Sequence, residues 1–162
     1  PYLRPAELAR DDTPTEPALA FALDWYGAKG QAFDAIVLLQ PTSPMRMPGT
    51  LGAAIDAFEE SGAESLLGVC ENHNFFWRNR ANPTALYDYR NRPRRQDIRP
   101  EDRWYRENGS IYITRTAAFA RHGNRLCDPV HMYVMPEEEG WEIDSVVDFA
   151  VVECLMKLVQ SA

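Results

Sequence analysis

The sequence predicts an α/β domain with a mostly parallel sheet and crossover helices, and two observations carry that prediction. Helix-period and strand-like segments follow one another in the order helix, strand, helix, strand along the first seventy residues. The first of the strand-like segments is a near-continuous apolar run, as expected of a strand covered on both faces.

Each element has its own signal. Thr13, Pro14 and Glu16 stand at N-cap, N1 and N3 spacing, and Leu19, Ala22, Leu23 and Tyr26 recur at helical intervals, which predicts a helix entered through residues 11–15. Residues 34–40 predict a strand buried on both faces. Residues 48–61 predict an amphipathic helix with Leu51, Ala54, Ile55 and Phe58 inward and Gly62 as its stop. A short strand over 65–70 follows. Residues 71–108 then break the pattern, with nine arginines, few aliphatics and the aromatics Phe75, Phe76, Trp77, Tyr87, Tyr89, Trp104 and Tyr105. This stretch reads as an insertion. Regular structure resumes with a strand over 110–114, a short helix over 116–122, a strand around 132–135 and a long helix beginning near Ser145.

Composition narrows the function. With 162 residues and 45% hydrophobic content, the chain supports one core and one domain over 1–162. A net charge of −7 opposes general binding to nucleic acid or to an anionic membrane surface. Cys70, Cys127 and Cys154 form no CxxC pair, so neither a disulfide framework nor a zinc site is predicted, and reduced thiols in a cytoplasm fit them. Apolar runs such as residues 35–39 fall far short of the roughly twenty residues that a bilayer requires.

Three stretches hold residues capable of chemistry. Gln40 ends its predicted strand at the carboxyl side, where open α/β sheets bind ligands, and its amide can both donate and accept. A tight turn over the following Pro-Thr-Ser-Pro explains those residues equally well. Glu142 and Asp144, two apart in an extended segment, project from the same side and can share a hard divalent cation such as magnesium. Capping of the last helix by Asp144 or Ser145, with Asp148 in its first turn, is the competing explanation. Seven arginines fall within residues 90–106. They suit bidentate binding of carboxylate or phosphate, or form a solvated face paired with Asp97, Glu101 and Asp102, with RNA binding by basic residues and interleaved aromatics a distant third reading.

The stretches "LLQPTSPMR", "NGSIYIT" and "EIDSVVDF", in this order and with an arginine-rich segment before the second, resemble the acylneuraminate cytidylyltransferase family, the CMP-sialic acid synthetases. The opening "LRPAELARDDTPT" resembles the family as well. The resemblance implies a Rossmann-like fold of the nucleotide-diphospho-sugar transferase type, CTP and a nine-carbon acid sugar as substrates, magnesium, and a homodimer formed through 71–108. It implies that Arg4 and Thr15 address the nucleotide, that Gln40, Arg78, Arg99 and Tyr112 address the sugar, that Arg106 is catalytic with Asp144, and that Asp144 with Glu142 holds the metal. Glu142 stands where many relatives have aspartate. The family's Gly, Ser, Lys and Asn-bearing phosphate loop has no counterpart in these residues, so the chain by itself is expected not to turn over CTP. That departure also motivates a reading of a different class, a non-catalytic nucleotide- or acid-sugar-binding relative.

Overall fold

Residues 2–160 are described by the structure, a computed structural model. In chain order the strands are β1 (Ala35–Leu38), β2 (Ser65–Asn72), β3 (Trp77–Arg78), β4 (Thr84–Ala85), β5 (Trp104–Arg115) and β6 (Val130–Val134), and the helices are α1 (Thr15–Gly27), α2 (Thr50–Ser61), α3 (Thr116–His122) and α4 (Val146–Gln160). The main sheet has the order β1-β5-β2-β6, and β3 with β4 forms a separate antiparallel pair.

The expected mostly parallel ladder gives way to a mixed one. β5 runs antiparallel to both β1 and β2, and among these pairings only β2 with β6 is parallel. β1, β2 and β6 still point the same way, so the β1-α2-β2 crossover holds. The antiparallel member is the strand reached through residues 73–103. That connection contains no crossover helix, and a helix-free connection suits antiparallel pairing. β1 is also half-open where both-face burial was expected, with Val37 at 40% exposure, because it lies at the edge of the described sheet.

The core gathers Leu66, Ile111, Ile113, Cys70 and Met135 from the sheet side against Ala54 and Phe58 of α2. Full burial of each large aliphatic contributes roughly 1.5–3 kcal/mol. Gly62, at φ 64°, ends α2 as its spacing predicts. α1 begins one residue later than expected, with Pro14 and not Thr13 at its N-cap, and the Thr13 hydroxyl donates instead to the Glu7 carbonyl at 3.0 Å.

The insertion is less separate than its composition suggests. β2 runs on to Asn72 and β5 starts at Trp104, so the sheet enters it from both sides. The remainder packs ring on ring, with Phe75 on Tyr87 at 4.4 Å, Trp77 on Tyr89 at 5.4 Å and Arg92 over Phe75 at 4.4 Å. Trp77, Tyr89 and Trp104 keep about half their surface exposed. Among the described residues no helix is long and apolar enough to cross a membrane.

Candidate active site

The site is built where β5 loses register. β5 advances from Glu107 to Tyr112 while β2 passes only from Val69 to Leu67, so the residues between bulge from the ladder. Bulges of this kind re-aim side chains. Asn108, fully buried, fixes this one. Its amide donates to the Met135 Sδ at 3.2 Å and to the Cys70 Sγ at 3.5 Å, and its Oδ1 accepts the Ser110 N–H at 3.2 Å.

The Pro-Thr-Ser-Pro turn is braced on two sides. Ser43, also fully buried, donates its hydroxyl to the Asn108 carbonyl at 3.0 Å. Arg46 Nη1 donates to the carbonyls of Ser43 at 2.5 Å and Ser110 at 3.2 Å. On the other side the Ile143 N–H donates to the Thr42 carbonyl at 2.8 Å. The turn therefore joins the end of β1 both to the bulge and to the Glu142 and Asp144 segment. The Ser43 hydroxyl follows an apolar strand because this turn is a structural junction, whereas Gln40 is left with no side-chain hydrogen bond among the described residues.

Gly109, at φ 61°, is the meeting point. A Cβ there would collide with Gln40 Oε1 and would stand 2.7 Å from Glu142 Oε1 and 3.0 Å from Ser43 Oγ. The glycine satisfies both the left-handed backbone and the close approach. Arg106 closes another side, with Nη1 3.1 Å from Glu142 Oε2 and Nη2 donating to the Gly140 carbonyl at 2.6 Å. Glu142 nevertheless has its carboxyl pushed above the ordinary range. Burial is the main cause, the Arg106 guanidinium opposes it, and the charges of Asp144 and Glu107 add to it.

Asp144 is differently placed. Ser145 and Asp148 cap α4 between them, the Ser145 hydroxyl donating to Asp148 Oδ2 at 2.7 Å and accepting the Asp148 N–H at 3.2 Å. Asp144 contributes only its N–H to this cap, at 3.2 Å from Asp148 Oδ2. Its carboxylate takes no hydrogen bond or ion pair among the described residues. Oxygen donors from one free and one Arg-paired carboxylate fit a hard cation that takes its other ligands from phosphate and water. No three His, Cys, Asp or Glu side chains among the described residues converge to hold a metal unaided.

The other sequence-predicted residues are dispersed. Tyr112 is 3% exposed, and its hydroxyl donates to Glu107 Oε1. Burial first, and then that hydrogen bond, push its pKa up to about 12, so it stays a donor. Arg99 pairs with Asp102 at 2.7 Å and with Glu101 at 3.3 Å, and Arg78 is exposed on β3. Arg4 is exposed ahead of α1, and Thr15 opens that helix. No hydrogen bond or ion pair joins Arg4, Thr15, Arg78 or Arg99 to Gln40, Arg106 or Glu142 among the described residues. A cavity of about 120 Å³ lies beside Arg106, lined also by Asn72, Asn74 and Arg95. A larger one of about 690 Å³, lined by Phe75, Tyr87 and Trp104 among others, lies in the insertion.

Sequence reasoning overlooked Ser43, Arg46, Glu107 and Asn108 as builders of the site, and Glu139. Glu139, 3% exposed, accepts the Met47 N–H and the Thr50 hydroxyl, both at 3.0 Å, and so fixes the entry to α2. Within a run of three glutamates it reads as solvated surface, and nothing local marks it out.

No family model matches the chain. A CMP-N,N'-diacetyllegionaminic acid synthase of Legionella pneumophila is 27% identical over 172 residues, covering all of this chain and 71% of that protein. An N-acylneuraminate cytidylyltransferase A of Danio rerio is 30% identical over 132 residues, covering 74% of this chain and 28% of that protein.

Proposed function

We propose, on the premise that the chain is a relative of the acylneuraminate cytidylyltransferase family, as both similar proteins support, that the intact protein transfers CMP from CTP to a nine-carbon acid sugar. The anomeric hydroxyl of the sugar attacks the α-phosphate of CTP, the new oxygen–phosphorus bond forms, and the bond to pyrophosphate breaks. The observation that carries this reading is the convergence of Gln40 and Glu142 over Gly109.

Gln40, with an unsatisfied amide, orients the sugar, and Arg106, held by Glu142 and the Gly140 carbonyl, faces its carboxylate. Arg4 and Thr15 serve the nucleotide. Asp144, with Glu142 beside it, would hold magnesium, which neutralises charge on the phosphates when bound. Arg78 and Arg99 belong to a segment with exposed aromatics and arginines, the residue types enriched at interface cores, and we assign that segment to a two-fold contact between copies.

The experiment is pyrophosphate release by the intact protein with CTP, magnesium and a panel of acid sugars including N-acetylneuraminic and diacetyllegionaminic acids. Release that requires both the sugar and the metal supports the reading. Absence of release across the panel, by folded protein, overturns it.

A further inference from the structure

We propose that the large cavity of the insertion is the subsite for acylamino substituents of the acid sugar, and that Phe75, Tyr87 and Trp104 are the rings that meet their acyl groups. This deepens the reading of the cleft given above and rests on it.

The ladder of β2 with β5 gives the placement. Cys70 pairs with Arg106 and Asn72 with Trp104, so Arg106 and Trp104, two apart in one strand, project from the same face of β5. They stand about 7 Å apart along the strand, comparable to the span of a substituted pyranose ring. Arg106 lines the cavity of about 120 Å³, and Trp104 lines the one of about 690 Å³. The two cavities share one wall, residues 71–74, where β2 ends. A sugar whose carboxylate meets Arg106 can therefore lay its ring substituents along that wall towards Trp104.

The larger cavity has apolar surface to offer. Phe75 and Tyr87 stack with their centroids 4.4 Å apart, and Trp104 keeps about half its surface exposed. An acyl methyl laid on these rings removes apolar area from water on both partners. The cavity's volume lies within the roughly 300–1,000 Å³ of small-molecule sites. Trp77 and Tyr89, the exposed pair of the same insertion, take no part in its wall, so a contact between copies made through them does not draw on these rings.

Charge chooses which part of the sugar enters. Five carboxylates and two arginines line the large cavity, so it repels the sugar's carboxylate and the phosphates of CTP. Ionised carboxylates offer acceptors alone, which suits amide N–H and hydroxyl donors. Asp88 is one of the five and has no ion pair among the described residues. Its Oδ1 accepts the N–H groups of Arg90 and Asn91, both at 3.1 Å, and its Oδ2 has no partner there. An acylamino group supplies both matches, its N–H to a carboxylate and its methyl to the rings. A hydroxyl in its place supplies only the first.

The test titrates the intact protein by calorimetry with N-acetylneuraminic acid and with its analogue carrying a hydroxyl in place of the acetamido group. Pyrophosphate release is measured beside it. The wild type should bind the acetamido sugar about tenfold tighter, the scale on which apolar pockets discriminate small groups. Trp104→Ala removes a ring, and Leu86→Trp fills the cavity from its wall. Both side chains are more than a third exposed, so both variants should fold. Each should lose most of the preference, mainly by weakening the acetamido sugar, and its loss in either folded variant supports the inference. Folded variants that all keep the wild-type preference overturn it. Equal binding of the two sugars by the wild type overturns it as well, while pyrophosphate release with both leaves the transferase reading standing. Preferential binding without pyrophosphate release removes the transferase reading, and loss of preference in a variant still supports the inference. A wild type that binds neither sugar overturns the inference.

Discussion

The backbone N–H of Ile143 donates to the carbonyl of Thr42 at 2.8 Å, and through this bond the turn after β1 sets the position of the carboxylates on either side of Ile143. Neither carboxylate is needed for that bond. Asp144 is also spared from capping α4 by Ser145 and Asp148. Asp144→Asn should therefore stay within about 0.5 kcal/mol of wild-type stability, as surface changes remote from special features do. Magnesium-dependent pyrophosphate release should be lost. Thermal denaturation and a release assay across a magnesium series check both halves, and unchanged release by the folded variant removes Asp144 from the metal site.

Gly109→Ala tests the meeting point. Its φ of 61° costs a non-glycine residue about 1 kcal/mol or more, so the melting temperature should fall by a few degrees. The atoms that the new methyl would meet include the far ends of Gln40 and Glu142, which can swing aside without unfolding the sheet. Moving them takes the amide and the carboxylate out of place. Turnover should consequently drop by more than tenfold in a variant that still melts cooperatively, measured by pyrophosphate release beside a thermal melt. Wild-type turnover would show that Gln40 and Glu142 need not meet there.

The fold was legible where periodicity speaks. α3 is found over the expected residues, and α2 buries the expected Ala54 and Phe58. Strand direction was not legible, because an apolar run such as residues 110–114 has the same period whichever way it is paired. The missing helix between β2 and β5 was the available clue. At the site, Gln40 and Glu142 could be named from their places in the chain, and Asp144 from its spacing. The braces could not, because Ser43, Asn108 and Glu139 act on partners some 27 to 92 residues away. The short polar words that contain them read locally as turns or solvated surface.

The three thiols should separate by reactivity. Cys70 and Cys127 are buried, and burial is the first cause that pushes both thiols above their usual pKa. Cys154 is exposed on α4. The thiolate is the reactive form, so brief treatment of native protein with a maleimide near neutral pH should modify Cys154 alone. Peptide mass mapping identifies the site, and denaturant should release the other two. Equal early labelling of Cys70 would contradict the packing of its sulfur against the Asn108 amide and the Pro136 carbonyl.

The α4 cap should give the protein one acid-sensitive contribution to its stability. Asp148 is held below the usual carboxylate range, first by the Ser145 hydroxyl and further by the backbone N–H groups of Asp144 and Ser145. A carboxyl whose pKa is lowered by folding stabilises the folded state above its unfolded pKa, and that contribution fades as the pH falls through the folded value. Asp148→Asn, which resembles the protonated acid, should therefore melt below the wild type at pH 7. The two curves should converge as the pH is taken to about 3 or lower, past the ordinary aspartate pKa. Ser145→Ala supplies the contrast. Its hydroxyl accepts the Asp148 N–H whatever the charge on the carboxylate, so part of its loss, about 1 kcal/mol for a helix cap, should persist in acid. Circular dichroism melts of the three proteins across this range decide the matter. A constant gap between Asp148→Asn and wild type would show that the carboxylate's charge contributes nothing to the cap.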